Sequence, residues 1–100
     1  MTRRLVDILP QAVNEGREAG EFYLSKSVAV EEAFRLEIER AIALIRDHPD
    51  TWPMYVLGTR RFILNRFPYS LVYKTDGTCS LVVAIAHANR KPGYWRSRLG

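Results

Sequence analysis

The run Ser80-Leu81-Val82-Val83-Ala84-Ile85-Ala86 carries no charge along its whole length. Successive side chains of a strand point to opposite faces, so a strand that is apolar at every position needs cover on both sides. Seven residues is strand length and too short for a buried helix. The run therefore predicts a central strand of a sheet, and the rest of the chain has to supply its neighbours and its cover.

The first half of the sequence reads as that cover. From Pro10 to about Ser25, Ala12, Gly16, Ala19 and Tyr23 recur at helical spacing, with Pro10 where a first helical turn tolerates it. Gly16 and Gly20 weaken this helix but let a neighbour approach closely. A second helix follows on Val30, Phe34, Ile38, Ala41 and Ile45, with Glu31, Arg35, Glu39 and Arg46 mostly off the stripe. Ser27 is its expected N-cap, Glu31 and Glu32 suit its positive start, and the residue before Pro49 disfavours helix and ends it. Two helices with a short break between them predict an antiparallel hairpin.

After Pro53 the period changes. "MYVL" (54–57), "RRFILN" (60–65) and "YSLVYK" (69–74) are rich in β-branched and aromatic residues, and "TDGT" (75–78) sets an Asp-Gly turn before the central run. At the other end "RRLVDIL" (3–9) alternates as a short strand, with Val6 and Ile8 on one face. The expectation is an α+β fold of order β-α-α-β-β-β: an N-terminal strand, then an antiparallel helical hairpin packed on a mainly antiparallel sheet. Phe34, Ile38, Ile45, Val83 and Ile85 are its expected core. One hundred residues fit one domain, 1–100, with no internal repeat and no linker.

Charge is distributed unevenly. Residues 1–50 hold seven Lys/Arg and ten Asp/Glu, while residues 51–100 hold eight and one, so the halves carry −3 and +7. A basic half with Asp76 as its one carboxylate is a surface for a polyanion or an acidic protein. The longest nearly uncharged run, 78–89, is far short of the roughly 20 residues of a membrane helix. Asp7 and Pro10 interrupt the start too early for a signal peptide. The single cysteine, Cys79, carries no metal motif. A cytoplasmic protein with no membrane, metal or cofactor is the expectation.

"RRFILNRFPYSLVYK" followed by "AIAHANRKPGYWRSR" resembles the RelE/ParE superfamily of bacterial toxins. The likeness lies in an Arg-Arg strand, the "RFPY" bend, the "LVVAIAH" strand and a terminal Arg-Lys-Pro-Gly-Tyr-Trp segment, with the two helices upstream in the family's order. The resemblance implies the toxin of a type II toxin–antitoxin pair: small, basic, and neutralised by a cognate antitoxin protein in a hetero-oligomer. Two targets occur in the superfamily. RelE-like members cut messenger RNA on the ribosome; ParE-like members inhibit DNA gyrase and are not known as nucleases.

On the nuclease reading the chemistry needs a base for the 2′-hydroxyl, an acid for the leaving oxygen, and cations for the charged phosphorane. His87 and Tyr94 are the candidates for proton transfer, and Arg61 and Arg90 for holding phosphate. Arg60, Arg66, Lys91, Trp95, Arg96 and Arg98 would contact RNA or a partner protein. RelE-like nucleases carry lysines in their middle strands, whereas "YVLGTRRFIL" has none, and arginine does not readily give up a proton. The cluster "HANRKPGY" at a strand end favours the translation target; gyrase inhibition, or an inert binding domain, are the alternatives.

Overall fold

A computed structural model describes residues 4–100, so Arg3, the first residue of the expected N-terminal strand, lies outside the described residues. The chain forms β1 (Leu5–Ile8), α1 (Pro10–Leu24), α2 (Val28–Asp47), β2 (Arg60–Ile63), β3 (Tyr69–Thr75) and β4 (Cys79–His87), with a short 3₁₀ turn at Val56–Gly58 and another at Arg96–Leu99. Pro10 opens α1 at its first turn. The Ser27 hydroxyl caps α2 by accepting from the Val30 N–H at 3.3 Å. The helix ends at Asp47, just before His48-Pro49.

The strands form one sheet in the order β1-β4-β3-β2. β2, β3 and β4 make an antiparallel meander, while β1 lies parallel to β4, with Leu5 opposite Cys79 and Ile8 opposite Val82. The sheet is therefore mixed, and the uncharged run lies in one of its two interior strands. "MYVL" is not a strand. Leu57 and Gly58 both take the left-handed backbone region (φ 60° and 74°), which folds the segment into a tight turn and leaves only Met54 bridged to Arg60.

A bulge gives β4 its two covers. Val72 pairs with Ala84 but Tyr73 pairs with Val82, so Val83 is an extra residue. The alternation slips by one there. Val82 and Ile85 join Leu71 and Tyr73 in a core under the helices, with Phe34, Ala41 and Ile45. Val83 and Ala84 turn to the opposite face, where they pack with Val72 and Trp95. The helical hairpin covers one face of β4 and the C-terminal segment covers the other.

Of the expected core residues, Phe34, Ile45, Val83 and Ile85 are buried, but Ile38 is only half-buried. It lines an open groove of about 410 Å³ between α1 and α2, together with Val13, Gly16, Gly20, Leu24 and Ile42. The "RFPY" bend drives Phe67 and Tyr69 against the hairpin, where Phe34 meets both rings and Tyr23 meets Phe67, edge to face, at 4.9–5.5 Å between centroids. That bend is tied to α2 by Glu37, whose carboxylate accepts from the Asn65 and Arg66 N–H groups.

Candidate functional site

Strand β4 runs past the end of β1, since β1 stops opposite Val82. From Val83 onward its outer edge has no strand partner, and unpaired backbone groups in that position need other partners. Helix α1 and the C-terminal segment provide them. The Ile85 N–H donates to Glu15 Oε1 at 3.1 Å, and the Val83 carbonyl accepts from Arg98 Nη1, also at 3.1 Å.

Glu15 is the centre of this arrangement. Its carboxylate also accepts from the Tyr94 hydroxyl and from both Arg98 amino groups, Nη1 at 2.8 Å and Nη2 at 3.1 Å. The Glu15 and Arg98 side chains are only 15% and 16% exposed, so the pair lies in a screened environment where charge-assisted bonds are strong. Burial first, and then the bond to the Glu15 carboxylate, pushes the Tyr94 hydroxyl far above the ordinary tyrosine range. The same carboxylate raises the Arg98 guanidinium, which stays charged. Trp95, 1% exposed, plugs the core on this face.

At the end of β4, His87 is opposite Tyr69 and meets its ring edge-on, 5.0 Å between centroids. Its Nδ1 accepts from the Asn89 N–H at 3.0 Å, so the neutral ring carries its proton on Nε2. The Arg90 guanidinium sits over the Tyr94 ring, 3.7 Å from the centroid, and that of Arg61 over the Tyr55 ring at 4.2 Å. Arg61, His87, Arg90, Lys91, Tyr94 and Trp95 surround a cleft of about 110 Å³. A second groove of about 260 Å³ meets it at His87, Arg90 and Tyr94, and has Glu15, Glu18 and Phe22 along its other wall.

The remaining expected residues are elsewhere. Arg60 pairs with Tyr73 and so faces the helix side, where its Nη1 donates to the Trp52 and Asp50 carbonyls at 2.7 and 3.2 Å. It holds the loop between α2 and β2 and is not part of the basic face. Arg66 is exposed at the β2–β3 bend near Phe67. Arg96 is exposed beside the cleft's tail, whereas Arg98 is turned inward onto Glu15. Buried Trp95 is packing, not contact surface, because almost none of it reaches solvent. Among the described residues no three His, Cys, Asp or Glu side chains gather as metal ligands, and no helix is long and apolar enough to cross a membrane.

The sequence model of one family, the ParE toxin of the type II toxin–antitoxin system parDE, matches residues 6–92. The chain belongs to the ParE toxin family. A solved structure described as the chromosomal ParDE toxin–antitoxin system from P. aeruginosa superposes with a TM-score of 0.68. It is 16% identical and covers 86% of this chain and 96% of that one, a likeness of fold. No curated protein matches the chain in sequence. The ParE match takes in both helices, β1 from Val6 onward, the other three strands and the "HANRKP" turn. It stops before Tyr94, Trp95 and Arg98, so the clamp that Glu15 makes with this ParE toxin's tail lies half inside and half beyond the matched span. Glu15 is also the member of this cluster that the sequence did not single out. Its one sequence signal is position: it adjoins the buried stripe Ala12-Gly16-Ala19 on α1, where an unpaired carboxylate would be costly.

Proposed function

We propose that this chain is the growth-inhibiting toxin of a two-protein pair, held inactive by a cognate antitoxin, and that it stops DNA gyrase by binding and does not cut RNA. The observation that carries this reading is the condition of Tyr94. Its hydroxyl is donated to Glu15 and its ionisation is pushed far up by burial and by that carboxylate. A phenol in this state is a poor base near neutral pH, and its proton is directed to Glu15 and not into the cleft. The arginines hold their protons. Of the two expected proton-transfer groups only His87 is left, a poor basis for metal-free cleavage. Inhibition by binding asks for something simpler, a rigid display of cations and aromatic surface, and Arg61, Arg90, Lys91 and Arg96 around a well-packed tail meet that need.

A second reading, ribosome-dependent cleavage of messenger RNA, is favoured by one feature: His87 at the end of a central strand, beside Arg90 and Lys91. The two readings separate in one experiment. Expression in cells is followed by assay of plasmid supercoiling and by mapping of RNA 5′ ends, with purified gyrase as the companion assay. Relaxed plasmid with intact messages is the expected outcome. Cut messages with normal supercoiling overturn it, and His87→Ala should then lower cleavage about a hundredfold, the loss typical of a proton-transfer group.

A further inference from the structure

The clamp on the tail has four donors converging on one carboxylate that comes from the opposite, acidic half of the chain. We propose that Glu15 is the positioning residue for the target-binding face: it fixes Tyr94 and Arg98 against the open edge of β4, and thereby sets where Arg90 and Lys91 are presented.

Three observations converge on it. The first is mechanical. The C-terminal segment has no strand or long helix of its own; it consists of turns, Lys91 to Tyr94 and then Arg96–Leu99. Such a segment keeps one conformation only where side chains anchor it. Its anchors are apolar packing by the buried Trp95 indole, Tyr94 and Leu99, and the bonds from Tyr94 and Arg98 to Glu15 and from Arg98 to the Val83 carbonyl. Apolar packing is less directional than a hydrogen bond and leaves the segment some freedom of orientation. The two-point Arg98 clamp and the tyrosine hydroxyl remove that freedom, because a bidentate pair fixes direction as well as distance.

The second observation links the clamp to the exposed cations. Arg90 makes its closest aromatic contact on the Tyr94 ring, 3.7 Å from the centroid, and the far end of that ring is held in place by the hydroxyl's bond to Glu15. Turning Tyr94 away from Glu15 moves the platform on which Arg90 rests. Lys91 is one residue further along the same turn, closed by the Tyr94 N–H donating to the Lys91 carbonyl at 3.1 Å. The third observation is that Glu15 serves β4 as well as the tail. The Ile85 N–H shares the carboxylate with Arg98, so the tail is indexed to the strand that carries His87, and not merely to α1.

This inference rests on the reading that the tail and cleft are the surface that meets the target. Its test compares Glu15→Gln and Arg98→Gln with the unaltered toxin and with Ile45→Val, a truncation of the helix-side core well away from the tail. Growth inhibition in cells and gyrase supercoiling in vitro report potency; circular dichroism and thermal melting report integrity. A spectrophotometric titration of the tyrosines, with Tyr94→Phe as the subtraction, reports the clamp itself. Both clamp variants should lose about tenfold or more in potency, the effect of one misplaced charged contact. They should still fold, and Tyr94 should ionise at lower pH in Glu15→Gln, where the negative charge beside its hydroxyl is gone while the Oε1 acceptor remains. Ile45→Val, though less stable, should keep its potency. Full potency in a folded clamp variant whose Tyr94 titration has moved overturns the proposal. So does equal loss in Ile45→Val, which would make the effect one of stability. If Glu15→Gln does not fold, Arg98→Gln decides by the same criteria. If the unaltered toxin halts growth but leaves gyrase untouched, it is the choice of target that fails, and growth inhibition still reports on Glu15. A chain inert in both assays overturns the proposal too, since no target surface is then being positioned.

Discussion

Two glycines four residues apart on α1 look alike in sequence and differ in what surrounds them. A Cβ added at Gly16 would stand 3.0 Å from the Ile85 Cδ1, so the glycine lets the helix approach β4. A Cβ added at Gly20 meets nothing within 4 Å. Glycine inside a helix costs about 1 kcal/mol relative to alanine. Gly20→Ala should therefore stabilise the isolated toxin by about that amount, and Gly16→Ala by less, because the Ile85 methyl has to give way. Urea denaturation of the two variants checks this; equal gains would mean that the Ile85 contact is of no consequence. The glycine pair was legible as a place of close approach, but which of the two is approached depends on a strand some seventy residues later. Glu15 was illegible for the same reason. Its donors Ile85, Tyr94 and Arg98 lie 70, 79 and 83 positions away, and in the sequence it is one more glutamate on an amphipathic helix. Ile38 obeyed the helical stripe yet is half-buried, since the glycines opposite leave the groove it lines unfilled.

Among the elements, the β3–β4 hairpin was the most legible, because its turn chemistry is local. Asp76 accepts from the Cys79 and Thr78 N–H groups at 2.8 and 2.9 Å and from the Thr78 hydroxyl at 2.9 Å. These bonds, the Cys79 N–H first, hold its carboxyl below the ordinary carboxylate range. A carboxyl whose folded pKa is depressed contributes stability that is present above its unfolded value, about pH 4, and is lost as the pH falls through the folded value. Melting temperature should fall on acidification below about pH 4. Asp76→Asn keeps the Oδ1 acceptor and removes the titration, so part of that fall should disappear; an unchanged acid limb would show that Asp76 does not report on the hairpin. The segment 54–57 was misleading, because its β-branched and aromatic composition is outweighed by the left-handed backbone at Leu57 and Gly58, which no propensity anticipates. The parallel seat of β1 was likewise beyond reach: a four-residue strand has no pattern that selects its neighbour, and the open edge of β4 fixes it only in three dimensions.

Over the whole molecule the division of charge, −3 before residue 51 and +7 after it, carries into space in part: Arg61, Arg90 and Lys91 line the cleft, while Arg60 and Arg98 are turned inward. An antitoxin that silences this toxin by covering its target face needs an acidic segment to cross that side. The sequence offered Arg60 as a contact to RNA or a partner and its neighbour Arg61 as a phosphate clamp, and the sheet separates the two. Adjacent strand residues face opposite ways, and Arg60 is spent on the Trp52 and Asp50 carbonyls while Arg61 lies over Tyr55 at the cleft. Reversing the two charges should therefore give two different results. Arg61→Glu should weaken the antitoxin complex about tenfold at low ionic strength, the scale of one reversed contact, and by less near physiological salt, where the Debye length is about 8 Å. Arg60→Glu should instead lower the melting temperature of the free toxin, because two loop carbonyls lose their donor and a carboxylate is set against them. Titration calorimetry at two salt concentrations, with melting of each free variant, measures both effects. An antitoxin affinity untouched by Arg61→Glu at low salt would place the acidic segment elsewhere than the cleft, and a salt dependence that survives intact would assign it to Lys91 and Arg96 on the tail.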